Sequence, residues 1–521
     1  MKRTTLSLLA CATALAAVTG FAAVSAPDDS GTDTAAPAAR LPVERTSLLC
    51  PAPSTSDLAE TAYTSFTPVT KGADEKGGAV LETAEPGEAT EDDKDAGKSD
   101  EKDGKEEKDE KDEKGEKDGK DEKKEKPAVE PKAPGTPATG KTSGADTPAL
   151  IGTAEGKSAP GWTVQQTTEV AAGTGRGLQG VNCTAPDTEF WFPGASTAAD
   201  RTDYVHLTNP DDSAAVVDIE LYGKDGAVKT TVGEGITVPP HGSESLLLST
   251  LSDVKQTDLT VHVGVRSGRV GAEVQALDDK TGGDWLSAAA DPASDLVIPG
   301  IPKDATAVRL VLFTPGGTDA DLKVRLASPS GLITPAGHET VHVKAGMTTG
   351  VDLGEVTRGE AGSLVLTPTG GSVPVVAAVR VVRGEGGEQE SAFIPASAPV
   401  GARATSADNR AKSTTLSLSA PGEAAKVKVT ASAGSEGGTT ATKTYTVKGG
   451  TTQNVDAPVP AGLKGSYALT VETVSGGPVY GSRTLTGSDD DVASFTVQTL
   501  PDDRGTVSVP NADEDLSVLQ R

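Results

Sequence analysis

The sequence predicts an all-β protein: tandem immunoglobulin-like β-sandwich modules, with a long disordered, charged insertion in the N-terminal module. Three observations carry this. The first is composition. Val, Thr, Ala and Gly dominate from residue 190 onward, and 521 residues hold only 7 Phe, 6 Tyr and 3 Trp. That mixture favours short strands and turns over helices. The second is a recurring apolar run stopped by proline: Phe190-Trp191-Phe192-Pro193, Leu296-Val297-Ile298-Pro299 and Ala392-Phe393-Ile394-Pro395. The prolines lie 299 − 193 = 106 and 395 − 299 = 96 residues apart, and Ser47-Leu48-Leu49-Cys50-Pro51 is a fainter fourth copy. The third is residues 91–126, with 18 acidic and 12 basic side chains and no apolar periodicity. Such a segment buries too little surface to offset its ordering entropy.

In chain order, residues 1–26 read as a signal peptide or an uncleaved N-terminal anchor: Lys2 and Arg3 precede the apolar run Leu6–Ala26. Cys11 falls inside that run and reads as part of it. Residues 41–70 read as the first part of an N-terminal β-module and 151–189 as its remainder. Residues 71–150 between them read as disordered, ending in a Pro/Ala/Gly/Thr linker, Pro127–Pro148. Three sandwich modules follow, 190–295, 296–390 and 391–521. Their strands are punctuated by turns such as Asn209-Pro210, Gly223-Lys224-Asp225-Gly226, Pro315-Gly316-Gly317 and Pro421-Gly422. Gly242, Gly346 and Gly450 sit 49, 47 and 55 residues past the successive prolines (242 − 193, 346 − 299, 450 − 395). A rod-like array is the expected arrangement.

Outside the apolar leader two cysteines remain, Cys50 and Cys183. In an exported protein an even pair reads as one disulfide. It would close a loop of 183 − 50 = 133 residues, worth about 5 kcal/mol at most in the chain-entropy model. The insertion would then bulge from a folded domain.

The formal charge of −27 excludes nucleic acid as a partner and disfavours an anionic membrane surface, since both would be repelled. Membrane contact is expected only through an uncleaved N-terminal segment. His338-Glu339-Thr340-Val341-His342 matches H-E-x-x-H literally, but a zinc site of that kind needs a helix to bring both histidines to one face. Here glycines bracket the run and Thr and Val favour a strand, where residues four apart lie ~13 Å apart. The metalloprotease reading is a decoy. Gly173-Thr174-Gly175-Arg176-Gly177 lacks the strand–helix context of a phosphate cradle and reads as a hairpin turn. No catalytic residue, metal site or cofactor is expected. Trp191, with Phe190 and Trp162, is the candidate ligand-binding patch, because exposed aromatics on sandwiches stack on sugars. The competing reading is packing at a module boundary, since Trp191 alternates with Phe190 and Phe192.

The signal segment, Arg45-Thr46-Ser47-Leu48-Leu49-Cys50-Pro51, Cys183 shortly before Trp191-Phe192-Pro193-Gly194, and Leu207-Thr208-Asn209-Pro210 together resemble a family of large secreted actinobacterial proteins of unassigned function. The resemblance implies export and a non-enzymatic character. The expectation is therefore a non-catalytic protein, secreted or held at the outer face of the cytoplasmic membrane. It would serve as a scaffold for an envelope protein or a cell-wall polymer, with glycan binding near Trp191 as the alternative.

Overall fold

The strands of the computed structural model follow from alternation. In Ala215–Gly223, Ala215, Val217, Ile219 and Leu221 are buried while Glu220 faces out. In Ala425–Gly434, Val427, Val429 and Ala431 repeat the pattern. The structure describes residues 39–85, 128–487 and 494–509. Ala39–Pro42 and Thr506–Val509 pair into a two-stranded ribbon, which belongs largely to a small unit made from the two ends of the chain. Residues 42–506 form the larger unit. The all-β expectation holds there: the one α-helix among the described residues is a single turn, Leu248–Leu251.

The larger unit contains four sandwiches of one topology. Each opens with a lead strand: Arg45–Cys50, Glu189–Ala195, Leu296–Ile301 and Arg403–Asn409. Each lead strand pairs antiparallel with the central strand of one sheet. The second sheet always has four strands and ends in a hub strand: Gly177–Asn182, Gly282–Leu286, Glu390–Pro395 and Phe495–Thr499. Every sandwich has its own apolar core.

The sandwiches do not string out as a rod. The four hub strands pack first on second, second on third, third on fourth and fourth on first, in a closed cycle. Each lead strand packs on the four-stranded sheet of the next module. Glu189–Ala195 lies on Val376–Arg383, Leu296–Ile301 on Tyr480–Thr486, and Arg403–Asn409 returns to Thr163–Val170 of the first module. Gly282–Leu286 and Glu390–Pro395 are buried at every residue, as strands covered on both faces must be.

Three expectations change. Ala392–Pro395 is not a lead strand. It belongs to the third module's hub strand, paired with Val376–Arg383, so the fourth module opens at Arg403 and the 390/391 boundary cuts an element. The expected disorder over 71–150 does not hold at its flanks. Ala79–Thr83 pairs with Leu150–Glu155, and Ala138–Ser143, inside the supposed linker, pairs with Ala59–Phe66. Burial of Leu81, Val129 and Ala138 in the first core is the reason. Residues 86–127 and the N-terminal leader lie outside the described residues. Finally, the glycine register read from the sequence places the turn before the outer strand at Gly346 and Gly450 but is one residue off in the second module, where His241 and not Gly242 takes the position. The backbone bonds Thr136 N–Ala133 O, Gly242 N–Pro239 O, Met347 N–Lys344 O and Thr451 N–Lys448 O make Gly135, His241, Gly346 and Gly450 equivalent. Gly135, Gly346 and Gly450 have φ of 91°, 66° and 72°, and His241 has 51°.

Candidate functional site

Cys50 ends the first lead strand and Cys183 follows the first hub strand. They form the expected disulfide within the first core. By alternation Cys50 stands where Phe192 stands in the second module, each on the inward face of its lead strand.

The aromatic candidates are all buried. Trp162 is in the first core and donates from Nε1 to Ser65 Oγ at 2.9 Å. Phe190 lies in the second core. Trp191, only 6% exposed, points the other way, into the seam with the third module, against Phe313 and Val376. Its indole stacks on His262 at 3.9 Å and donates to Glu189 Oε1 at 3.1 Å. A sugar-stacking platform needs a free ring face, and none of these three has one; Trp191 packs at a module boundary, while Trp162 and Phe190 pack in the cores of the first and second modules.

The H-E-x-x-H run is a turn at His338 followed by the strand Thr340–Val343. His342 bonds Asp321 Oδ1 through Nδ1 at 2.9 Å. Among the described residues no cluster of three or more His, Cys, Asp or Glu side chains is placed to hold a metal. Gly173–Gly177 forms the turn into the first hub strand, as expected of a glycine-rich hairpin.

Sequence reasoning missed the polar groups at the centre. Asp284, on the second hub strand, is fully buried. It accepts from Gly180 N of the first hub strand at 3.0 Å and from Thr496 Oγ1 of the fourth at 2.9 and 3.1 Å. The Phe393 N–H of the third hub strand also favours its charged form. One carboxyl therefore touches all four modules. Burial pushes it well above the usual carboxylate range, against the pull of these donors. Glu390, likewise buried, is pushed up to about 7 by burial, with Arg176 opposing. Its carboxyl fills the space where a Cβ on Gly177 or Gly282 would stand, 2.2 and 2.6 Å from Oε2, and both glycines have positive φ. Gln165 binds the fourth module to the first. Its Oε1 accepts from Ala407 N at 3.0 Å, Asp408 N at 2.8 Å and Arg483 Nη2 at 2.8 Å. Burial pulls the Arg483 guanidinium down to about 10. Period-two patterning marks strand faces and gives no sign of such groups.

The seam between the first and second modules is different. Leu49, in the position of Trp191, packs on Gly271 of the second module. Beyond it the outward row of the first sheet, including Ser47, Val80, Ile151 and Thr153, stays open. With the Pro210–Ser213 loop, His241 and Arg269 opposite, it forms a cleft of about 970 Å³. Arg269 pairs with Asp211 at 2.9 Å and His241 Nε2 with Asp212 at 2.7 Å. Arg45 is exposed and pairs with Glu155 at 3.8 Å, and Arg504 and Glu82 complete the charged lining, whose three arginines are matched by Glu82, Asp211 and Asp212. At the corresponding place in the next seam, Tyr222 and Phe313 rings lie 4.6 Å apart and fill the space.

A family model matches residues 138–458, 458 − 138 + 1 = 321 of 521, and so reaches into all four modules. The chain belongs to DUF5719, a family of unknown function. Neither a curated protein nor a solved structure matches this DUF5719 chain. Of two hollows on its surface, the cleft is the larger. A smaller hollow of about 370 Å³, where the fourth module meets the first, is lined by Glu60, Glu169, Lys141 and Arg410; its charges balance.

Proposed function

We propose that this DUF5719 protein works outside the cytoplasmic membrane of an actinobacterium as a non-catalytic binding scaffold, presenting the cleft between its first and second modules to a partner in the envelope. The observation that carries the reading is the contrast between seams. Every junction carries buried polar contacts: Thr452 Oγ1 to Ser363 Oγ at 2.9 Å, Thr348 Oγ1 to the Tyr222 carbonyl at 2.7 Å, and in the first seam Gln275 Nε2 to Gln179 Oε1 at 2.9 Å. Outward of these the first seam leaves a lined cleft of about 970 Å³, against about 370 Å³ where the fourth module meets the first. Sites held by rigid elements bind with less ordering cost.

The Cys50–Cys183 bond supports an oxidising compartment. Among the described residues no helix is long and apolar enough to cross a membrane. Cross-linking in intact producing cells, followed by purification of the protein and mass spectrometry, tests the reading. One enriched envelope protein, or wall polymer, is the expected result. A protein recovered from the medium with nothing attached would overturn it.

A further inference from the structure

The first seam departs from the others at one position. In each four-stranded sheet, the strand neighbour of the residue four before the turn proline (Pro68, Pro210, Pro315, Pro421) is Gln165, Glu273, Ala378 or Ser482 in successive modules. The lead strand of the preceding module crosses this position near Ala407, Pro51, Pro193 and Pro299 respectively. Where the lead strand offers an N–H, at Ala407, Gln165 Oε1 accepts it at 3.0 Å. Proline offers none, and opposite Pro193 and Pro299 the position is the neutral Ala378 or Ser482. Opposite Pro51 it is an acid, Glu273.

Gly271 and Gln275, on the same strand face, meet Leu49 and the Pro53 carbonyl, the latter at 3.0 Å. Glu273 between them therefore lies under the end of the first lead strand. It is 2% exposed, and among the described residues neither carboxyl oxygen has a hydrogen-bond partner. Burial holds the carboxyl well above the usual carboxylate range, against a weaker pull from Ser287. No charged group among the described residues faces it. From the first module come Leu49, Pro51, Pro53 and Gln179, the last bonded to Gln275 at 2.9 Å. On its own sheet the neighbours are Tyr204, Trp285 and His206. Burial pulls His206 down to about 4, its Nδ1 meets Ser245 Oγ at 2.9 Å, and its Nε2 is unpartnered. Arg269, further along the same face, is paired with Asp211, and Arg45 with Glu155.

We propose that Glu273 is a proton-operated latch on the first seam: uncharged, it lets the first and second modules close; ionised, it parts them on the side where the cleft lies. A carboxylate buried without donors or a counter-charge is costly, and opening the seam gives it water. The contribution of Glu273 to closure is complete below the ordinary value of 4.5 and is lost as pH rises toward its raised value in the closed seam. His206 acts in the opposite sense, weakening closure as pH falls from 6.5 to about 4. The latch does not depend on what the cleft binds.

The test labels a thiol placed in the seam. Thr208, 3% exposed, pairs with Gly271 beneath Leu49. Thr208→Cys in the full chain is reacted with dithiodipyridine from pH 5 to pH 8. The rate at residue 208, read by mass spectrometry, is divided by that of the urea-unfolded chain at the same pH and so reports the open fraction of the seam. Dividing again by the same quantity in Thr208→Cys/Glu273→Gln cancels His206, Glu390 and Asp284, which both chains share. This ratio should rise at least about tenfold over the range. Glu273→Ala, which copies the third module, should give the same rise when it replaces Glu273→Gln. A ratio constant with pH would make Glu273 a packing residue and overturn the proposal. So would a thiol at 208 that stays unlabelled at pH 8 with Glu273 in place.

Discussion

Gln165 concentrates the seam between the first and fourth modules in one side chain. Its carbonyl oxygen accepts from two backbone N–H groups and from the buried Arg483. Gln165→Ala leaves all three donors without that acceptor, which costs about 2–4 kcal/mol and should lower the denaturant midpoint accordingly. Glu390 makes a second prediction. Its carboxyl titrates at about 7 in the folded chain against an ordinary 4.5. Between those values the folded state holds a proton that the unfolded state has lost. Stability from this group is therefore complete below pH 4.5 and is lost as pH rises through 7, by at most about 3 kcal/mol. Melting curves from pH 5 to 8 should fall for the wild type and be flatter in this window for Glu390→Gln. Identical slopes would mean that Glu390 is already ionised in the fold.

At the scale of elements, the lead strands carry the packing between modules on one face and the core on the other. Trp191→Ala empties the second seam and should cost about 3–5 kcal/mol with no change in polysaccharide binding; a loss of such binding at constant stability would restore the glycan reading. The disulfide ties the first lead strand to the segment just past its hub strand. Cys50→Ser with Cys183→Ser should cost about 2–5 kcal/mol in urea unfolding. These elements were legible in the sequence because their signals are local. Apolar runs, prolines and cysteine parity marked the lead strands of the first three modules and the bond. The fourth lead strand, Arg-Ala-Thr-Ser-Ala-Asp-Asn at 403–409, was not legible: it carries buried polar side chains, of which Ser406 and Asp408 meet Gln165 and Thr167 of the first module while Asn409 bonds Tyr467 O of its own sheet. Ala392–Pro395 resembled a lead strand for the complementary reason, since a hub strand buried on both faces is also a continuous apolar run. Gly135 was hidden in a Pro/Gly-rich stretch that composition alone assigns to a linker. Only the turn bonds reveal it as the counterpart of Gly346 and Gly450, and His241 as the exception.

For the larger unit as a whole, the consequence of closure is cooperativity. In a string of independent sandwiches each module would melt on its own. Here Asp284 touches four hub strands, and Gln165 joins the last module to the first. Loss of one seam therefore removes support from both neighbours. The sequence could not show this, because closure depends on which polar side chains meet across seams more than 200 residues apart, as Thr167 Oγ1 meets Asp408 Oδ2 at 2.9 Å. The cleft is a product of the same closure: it exists because the first and second modules are held together around a gap that the next seam fills with aromatic rings. Differential scanning calorimetry of the wild type and Gln165→Ala tests closure most directly. The account predicts one dominant transition for the four modules, shifted as a whole to lower temperature in the variant. Three or four separable transitions, with Gln165→Ala moving only those of the first and fourth modules, would contradict it.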